Sequence, residues 1–516
     1  MKRKIMVCLG GALVALVASA SELAVPQWNE GVPKIRGPKV YGATPGRTFL
    51  YSFPTTGSRD GLGFSVVRGA LPPGVALDKA TGVLSGRVAA AGDYAFTVRA
   101  ANRLGAAEKD FTLKIGAGCL SLTPPLGWTS WNAYATQVDQ ELVAATAKAL
   151  VDTGLAAYGY SFVNIDSCWQ GARDKEGTLA LQPNPKRFPD MKGLVDGIHA
   201  LGLKAGIYST PMVLAWGGSP SMMLPGGSYY PLDPKHFHKY FGGCGERGFE
   251  KEDAAQFAAW GFDWLKYDWP NTDPDHAAKM RAALDATGRD VVLQLCTECK
   301  PQFAADYAKS SSVARGSMDT HEKWEYMVDP RWNILRIPDQ WLKFIRPGFW
   351  YDMDMLAVGP MCIDRKVKAP RPGEPMPAEM KNRFSSDEIE LQFWWWAMLP
   401  SPIVLSCDLM HIDELTLSLA TNDDLLAINQ DYPATPVSYE KFENDTKRIS
   451  TRRLSDGRLA IGFFNFVGDR PWSVTRNLGG LRAVRDARQQ RDLGKLDKLE
   501  VTVPVHGCRV FLVSGE

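Results

Sequence analysis

The sequence predicts an α/β chain: a (β/α)8 TIM barrel flanked by an N-terminal β-sandwich and a C-terminal antiparallel β domain. Three observations predict it. Across residues 119–430, short apolar runs alternate with amphipathic helical stretches, roughly eight units in about 300 residues. On either side the texture changes to short strands broken by Gly and Pro. No Gly-rich phosphate turn follows the first strand of the middle region, which argues against an open doubly wound sheet.

The chain opens Met1-Lys2-Arg3-Lys4, runs apolar from Ile5 to Val17 and continues Ala18-Ser19-Ala20, so residues 1–20 read as a secretory signal peptide. The mature protein is expected to be secreted or periplasmic. The apolar stretch falls short of the ~20 residues of a membrane span, so no membrane insertion is expected. No Cys stands at the cleavage point, which disfavours a lipid anchor.

Residues 21–118 carry the first β domain. Thr48–Phe53, Thr81–Gly86, Tyr94–Arg99 and Asp110–Ile115 are strand-length segments at sandwich spacing. The Leu71-Pro72-Pro73-Gly74 run, with Thr81–Gly86 and Gly92-Asp93-Tyr94 after it, resembles the immunoglobulin-like modules attached to many secreted bacterial enzymes. In the middle region, Phe162–Asp166, Lys204–Tyr208, Phe262–Asp268, Val291–Leu295 and Pro402–Ser406 read as buried parallel strands. Glu141–Thr153, Met191–Leu201, Glu250–Trp260 and Asp387–Met398 read as helices between them. Residues 431–516 return to short alternating strands, among them Leu459–Asn465 and Arg509–Val513, and are expected to form a β-sandwich.

Composition narrows the partner. A chain of 516 residues with 45% hydrophobic and 22% charged residues has the make-up of a multidomain globular protein. Its net charge of +2 excludes a basic stripe dense enough to track phosphates, so no nucleic acid is expected. Sixteen Trp offer flat faces suited to sugar rings, although most are expected in the core. No oligomeric state is implied.

Eight cysteines remain once Cys8 leaves with the signal: Cys119, Cys168, Cys244, Cys296, Cys299, Cys362, Cys407 and Cys508. Export permits disulfide bonds, with the pairing open. Cys296 and Cys299 have the spacing of a redox or zinc pair, but no second Cys or His pair at ligand spacing supports a metal.

In a barrel, chemistry collects at the C-terminal ends of the strands, where Trp131, Asp166, Tyr208, Lys266, Asp268, Arg315, Asp319, Asp352 and Asp354 fall. Period-two alternation puts Lys266 and Asp268 on one strand face, and a neighbouring ammonium keeps a carboxylate ionised for nucleophilic attack. Asp268 could equally cap the following helix, and Asp319 could be a solvated loop residue beside His321 and Glu322. Arg315 could grip a ring hydroxyl or form a surface ion pair. Asp352 and Asp354 lack the further oxygen ligands that calcium requires.

Taken in order, Pro124–Asn132, Val163–Trp169, Gly206–Tyr208, Trp264–Asp268, Arg315–Asp319, Trp350–Leu356, Ser406–Leu409 and Leu426–Asp431 resemble the α-galactosidases of glycoside hydrolase family 27. The resemblance implies a retaining mechanism with Asp268 as nucleophile and Asp319 as acid/base, their carboxyls about 5–5.5 Å apart. Asp319 is then expected to hold a proton in the free enzyme and Asp268 to be ionised. The resemblance further implies sugar contacts from Trp131, Asp166, Ser167, Tyr208, Lys266 and Arg315, and no cofactor or metal.

Three departures stand out. Asp166-Ser167 replaces the pair of adjacent acids usual in the family, weakening one charge-assisted hydroxyl contact. Trp269-Pro270 replaces the Cys that often follows the nucleophile motif. Residues 209–248 form a long insertion rich in Gly, Pro, Tyr and Met, expected above the barrel mouth. The resulting expectation is a secreted retaining exo-glycosidase acting on terminal α-D-galactosyl units of an oligosaccharide or polysaccharide. The alternatives are an α-N-acetylgalactosaminidase, a β-L-arabinopyranosidase, an isomalto-dextranase-like enzyme, or an inactive carbohydrate-binding protein.

Overall fold

Eight parallel strands form the central sheet: β1 Leu126–Thr129, β2 Phe162–Ile165, β3 Lys204–Ser209, β4 Trp264–Asp268, β5 Val292–Cys296, β6 Val313–Arg315, β7 Trp350–Asp352 and β8 Ile403–Leu405. This computed structural model describes residues 27–174, 177–224, 227–329, 337–363 and 367–515, so the segment expected to be a signal peptide, residues 1–20, lies outside the described residues. Hydrogen bonding runs β7-β6-β5-β4-β3-β2-β1-β8. The circle closes just beyond β7, where the Leu356 amide donates to the Val404 carbonyl at 2.9 Å. Nearly every strand residue is buried, since helices cover the outside and side chains fill the inside, which is why these strands read as unbroken apolar runs.

The N-terminal domain pairs a four-stranded sheet with a three-stranded one around Phe49, Phe53, Phe96, Phe111 and Leu113. It docks on the N-terminal end of the barrel, opposite the mouth. The Lys204 ammonium, at the start of β3, donates to Tyr41 Oη at 2.9 Å, and the Thr44 amide donates to Asp290 at 2.8 Å. Burial presses the Lys204 amine down to about 8. A cavity of about 260 Å³ lies between the two domains, lined by Tyr41, Tyr51, Phe162 and Lys204 among others.

Helix Ser386–Met398 joins the barrel to the C-terminal domain. Ser385 and Glu388 form a capping box that fixes its start. Its three consecutive Trp are fully buried because the helix has protein on all sides. Trp396 donates to the Asp354 carbonyl at 2.9 Å on the barrel side, and Trp395 meets Phe464 at 4.9 Å on the other. The C-terminal domain corrects the expectation of a sandwich: it is one six-stranded antiparallel sheet. The sheet folds over on itself, bringing Phe442 of its first edge strand to 5.2 Å from Trp472 of its fifth, so one sheet encloses an apolar core.

No disulfide forms among the described residues, which corrects the disulfide expectation. The thiols of Cys296, Cys407 and Cys508 are pushed far up by burial. No described helix is long and apolar enough to cross a membrane.

Candidate active site

Strand register builds the site. Tyr208 of β3 lies beside Lys266 of β4, Lys266 beside Gln294 of β5, and Arg315 of β6 beside Asp352 of β7. Because side chains alternate along a strand, these residues share the inward face, and Asp268 follows Lys266 on it at the C-terminal end.

The two carboxylates singled out in the sequence are linked through two other side chains. The Thr297 hydroxyl donates to Asp268 Oδ1 at 3.2 Å and accepts a hydrogen bond from Arg315 Nη2. The same Nη2 pairs with Asp319 Oδ1 at 2.6 Å, while Arg315 Nη1 pairs with Asp354 Oδ1 at 2.7 Å. Asp354 is held in turn by the Thr320 amide at 2.8 Å. Arg315 is 1% exposed and Asp319 43% exposed, so a fixed guanidinium reaches from the barrel interior to a carboxylate at the rim.

Lys266 makes its ion pair with Asp166, Nζ to Oδ2 at 2.9 Å, and its ammonium sits 5.7 Å from the Tyr208 ring centre. The Thr129 hydroxyl donates to the same Asp166 oxygen at 3.3 Å. Below them a cavity of about 20 Å³, room for one water, is lined by Asn164, Asp166, Lys266, Gln294, Asp352 and Asp354. Burial, then the neighbouring Asp354, lifts Asp352 to about 6.

The protonation pattern differs from the expected one. Burial raises the Asp268 carboxyl, and Lys266 and Arg315 offset that only in part. Burial acts upward on Asp319 too, but Arg315 and then Lys266 outweigh it and hold this carboxyl below the usual range. In the substrate-free protein Asp319 is thus the more readily ionised acid. The reason is geometric: Arg315 pairs directly with Asp319, and Lys266 is engaged by Asp166.

Asp268 does not cap the next helix. Asp273 does, accepting from the Asp275 and His276 amides. Trp131, at the start of a short helix after β1, is half-buried. Ser167 is fully buried, and its hydroxyl donates to the Trp216 carbonyl at 2.5 Å, so it anchors the insertion. Trp216, 41% exposed, packs against Phe241 of the same insertion, ring centres 4.5 Å apart and planes tilted by 57°. Arg173 fastens this segment from below, donating to the Ser221 carbonyl and making a bidentate pair with Asp253 at 2.7 and 2.8 Å. Sequence reasoning missed Thr297 and Trp216. Thr297 could have been found from its place directly after β5.

The α-galactosidase A family model matches residues 123–244 and 237–370, and an immunoglobulin-domain model matches residues 33–116. α-Galactosidase A of Cellvibrio japonicus is 32% identical over 365 residues, 68% of this chain and 78% of that protein. The chain belongs to the α-galactosidase family. α-Galactosidase 2 of Arabidopsis thaliana is also 32% identical, over 77% of this chain and 90% of its own length. A protein of α-galactosidase/melibiase type from Bacteroides fragilis superposes with a TM-score of 0.80 at 30% identity, covering 96% of this chain and 100% of its own. This α-galactosidase-family chain is accordingly a glycoside hydrolase, and its homologues share the barrel that brings Asp268 and Asp319 to one mouth.

Proposed function

We propose that this glycoside hydrolase is exported and removes terminal α-D-galactosyl residues with retention of anomeric configuration. The observation that carries the reading is the chain Asp268–Thr297–Arg315–Asp319, which ties two carboxylates of opposite pKa tendency to one guanidinium at the barrel mouth. Thr297 engages Asp268 Oδ1, so Oδ2 is the oxygen that attacks the anomeric carbon. Asp319, in its protonated form, delivers its proton to the departing glycosidic oxygen. The ionised Asp319 then takes a proton from water, which attacks the glycosyl–Asp268 ester and releases the sugar. Arg315 balances the charge that Asp319 gains and loses. Asp166, Lys266, Tyr208 and Trp131 form the wall against which the sugar is held.

A panel of nitrophenyl glycosides tests the sugar, and NMR of the first-formed anomer tests retention. Release from the α-galactoside with the α-anomer formed first is expected, and loss of turnover in Asp268→Asn. Initial formation of the β-anomer refutes the mechanism, and binding without turnover of any glycoside returns the chain to the carbohydrate-binding reading.

A second reading rests on Ser167. Its hydroxyl is taken by Trp216, so the pocket offers one hydroxyl acceptor fewer than a pair of acids would. That favours a sugar such as β-L-arabinopyranose, which has the galactose ring without its hydroxymethyl arm. A higher kcat/KM on the β-L-arabinopyranoside than on the α-galactoside would establish it.

A further inference from the structure

Away from the carboxylates, the insertion and the barrel meet at three side chains. His236 lies on the hairpin strand Leu232–His238, Asp273 is the N-cap of helix Pro274–Asp285, and His276 is in that helix's first turn. One ligand atom from each lies within 4.8 Å of the other two. We propose that His236, Asp273 and His276 form a divalent-cation site of zinc type, which fastens the insertion to the helix that follows the nucleophile strand.

The donor set suits the ion: two imidazoles and one carboxylate oxygen match zinc, with a fourth position open to water. Each donor is already oriented. His236 Nδ1 lies 2.9 Å from Asp233 Oδ2, so with Nδ1–H donated to that carboxylate, Nε2 presents its lone pair inward. A carboxylate on the far nitrogen of a ligating histidine is the usual supporting contact at such sites. Asp273 Oδ1 is consumed by the Asp275 and His276 amides, each at 3.0 Å, which leaves Oδ2 to face the rings. Oδ2 also accepts from Trp269 Nε1 at 3.1 Å, which fixes the plane of the carboxylate.

The spacing is close to what an ion requires. Tetrahedral ligands about 2.0–2.1 Å from zinc lie roughly 3.3 Å from one another. His236 Nε2 to Asp273 Oδ2 is 3.3 Å, and His276 Nδ1 to the same oxygen is 2.8 Å, so the second must open by about half an ångström, while the two ring nitrogens lie within 4.8 Å of each other. The surroundings are negative: Asp233 and Asp273 both face the site, and after burial they are the next causes pushing the Cys244 thiol up to about 12. His236 and Asp273 are 18% and 19% exposed, which leaves an approach from solvent, while His276 is buried. Without the ion, His276 Nδ1–H donates a hydrogen bond to Asp273 Oδ2; on binding, Nδ1 offers its lone pair and its proton moves to Nε2 or to solvent.

The consequence is local stiffening. The ion would pin hairpin 232–245, and with it the segment carrying Trp216, to the element directly after Asp268. The test uses the full mature chain, stripped with chelator and titrated with Zn2+ by calorimetry and with Co2+ by visible absorption. One ion per chain is expected, with the strong d–d bands of a four-coordinate cobalt. His236→Ala and His276→Gln should each weaken binding about a hundredfold, and Asp233→Asn about tenfold. Zinc should raise the thermal midpoint of the parent and leave that of His236→Ala unmoved, while the two share one midpoint in chelator, which controls for folding. Zinc binding equal in the parent and in the His236→Ala/His276→Gln double variant, or no binding to the parent, overturns the proposal.

Discussion

Replacing Thr297 by Val removes one hydroxyl and almost no volume, and it acts on both ends of the catalytic network. At 3.2 Å the bond to Asp268 Oδ1 is long for a hydroxyl donor, for which about 2.5–3.0 Å is usual, so it sits at the weak end of bonds to a charged group. That end is about 1.5 kcal/mol, or roughly a tenfold loss in kcat/KM if the bond persists into the transition state. Without this donor the ionised Asp268 is less favoured, and because Asp268 is the harder of the two acids to ionise, the alkaline limb of the pH profile should move to higher pH. Thr297→Ser keeps the hydroxyl and should stay near the parent in both readouts. Initial rates on a nitrophenyl glycoside across pH suffice as the assay. A Val variant with parental kcat/KM refutes the reasoning, and so does a Ser variant that falls as far as Val.

Other consequences can be measured in the same way. Arg315 holds Asp319 below the ordinary range, so its proton-bearing form grows scarce as pH rises; kcat/KM should decline from acid towards neutral pH, and a profile still rising above neutrality would contradict this. Asp253→Ala leaves the Arg173 guanidinium buried and unpaired, which should cost about 3–5 kcal/mol in urea unfolding. An unchanged urea midpoint would show that the pair does not hold the insertion. Asp352 keeps its proton up to about pH 6 in the folded chain but only to about pH 4 when unfolded, so its contribution is complete below pH 4 and is lost as pH rises through 6. Asp352→Asn should remove on the order of 3 kcal/mol of pH dependence across that window, and parallel stability curves for the two proteins would count against it.

Elements whose residues share one environment were legible in the sequence. Helix Glu250–Trp260 and strand Leu459–Asn465 have the expected limits, and β2 to β5 lie within two residues of theirs. Strands β1, β6 and β7 had not been singled out: they are three or four residues long and include Gly127, Arg315 and Asp352, so no apolar run marks them. Asp268 and Asp319 were legible because strand ends in a barrel are privileged positions. What stayed hidden was the choice of partner. Lys266 and Asp268 stand two apart on one strand and point the same way side by side, so the ammonium is drawn across the barrel to Asp166, and spacing along the chain carries no trace of that pairing. The same holds for Arg315 with Asp354, and for Ser167 with Trp216.

The N-terminal domain is fixed to the barrel by direct contacts. A binding module on a free tether samples many orientations and can hand a polymer to the catalytic mouth. This one covers the end of the barrel where Phe162, Trp264, Val292 and Val313 begin their strands, and it is held there by Tyr41, Thr44 and backbone hydrogen bonds between Thr48 and residues 288–290. It thereby forms a floor beneath the strands that begin at Phe162, Trp264, Val292 and Val313. A chain trimmed to residues 119–516 would therefore lose part of its own foundation, while the insertion anchored by Ser167 would keep its place.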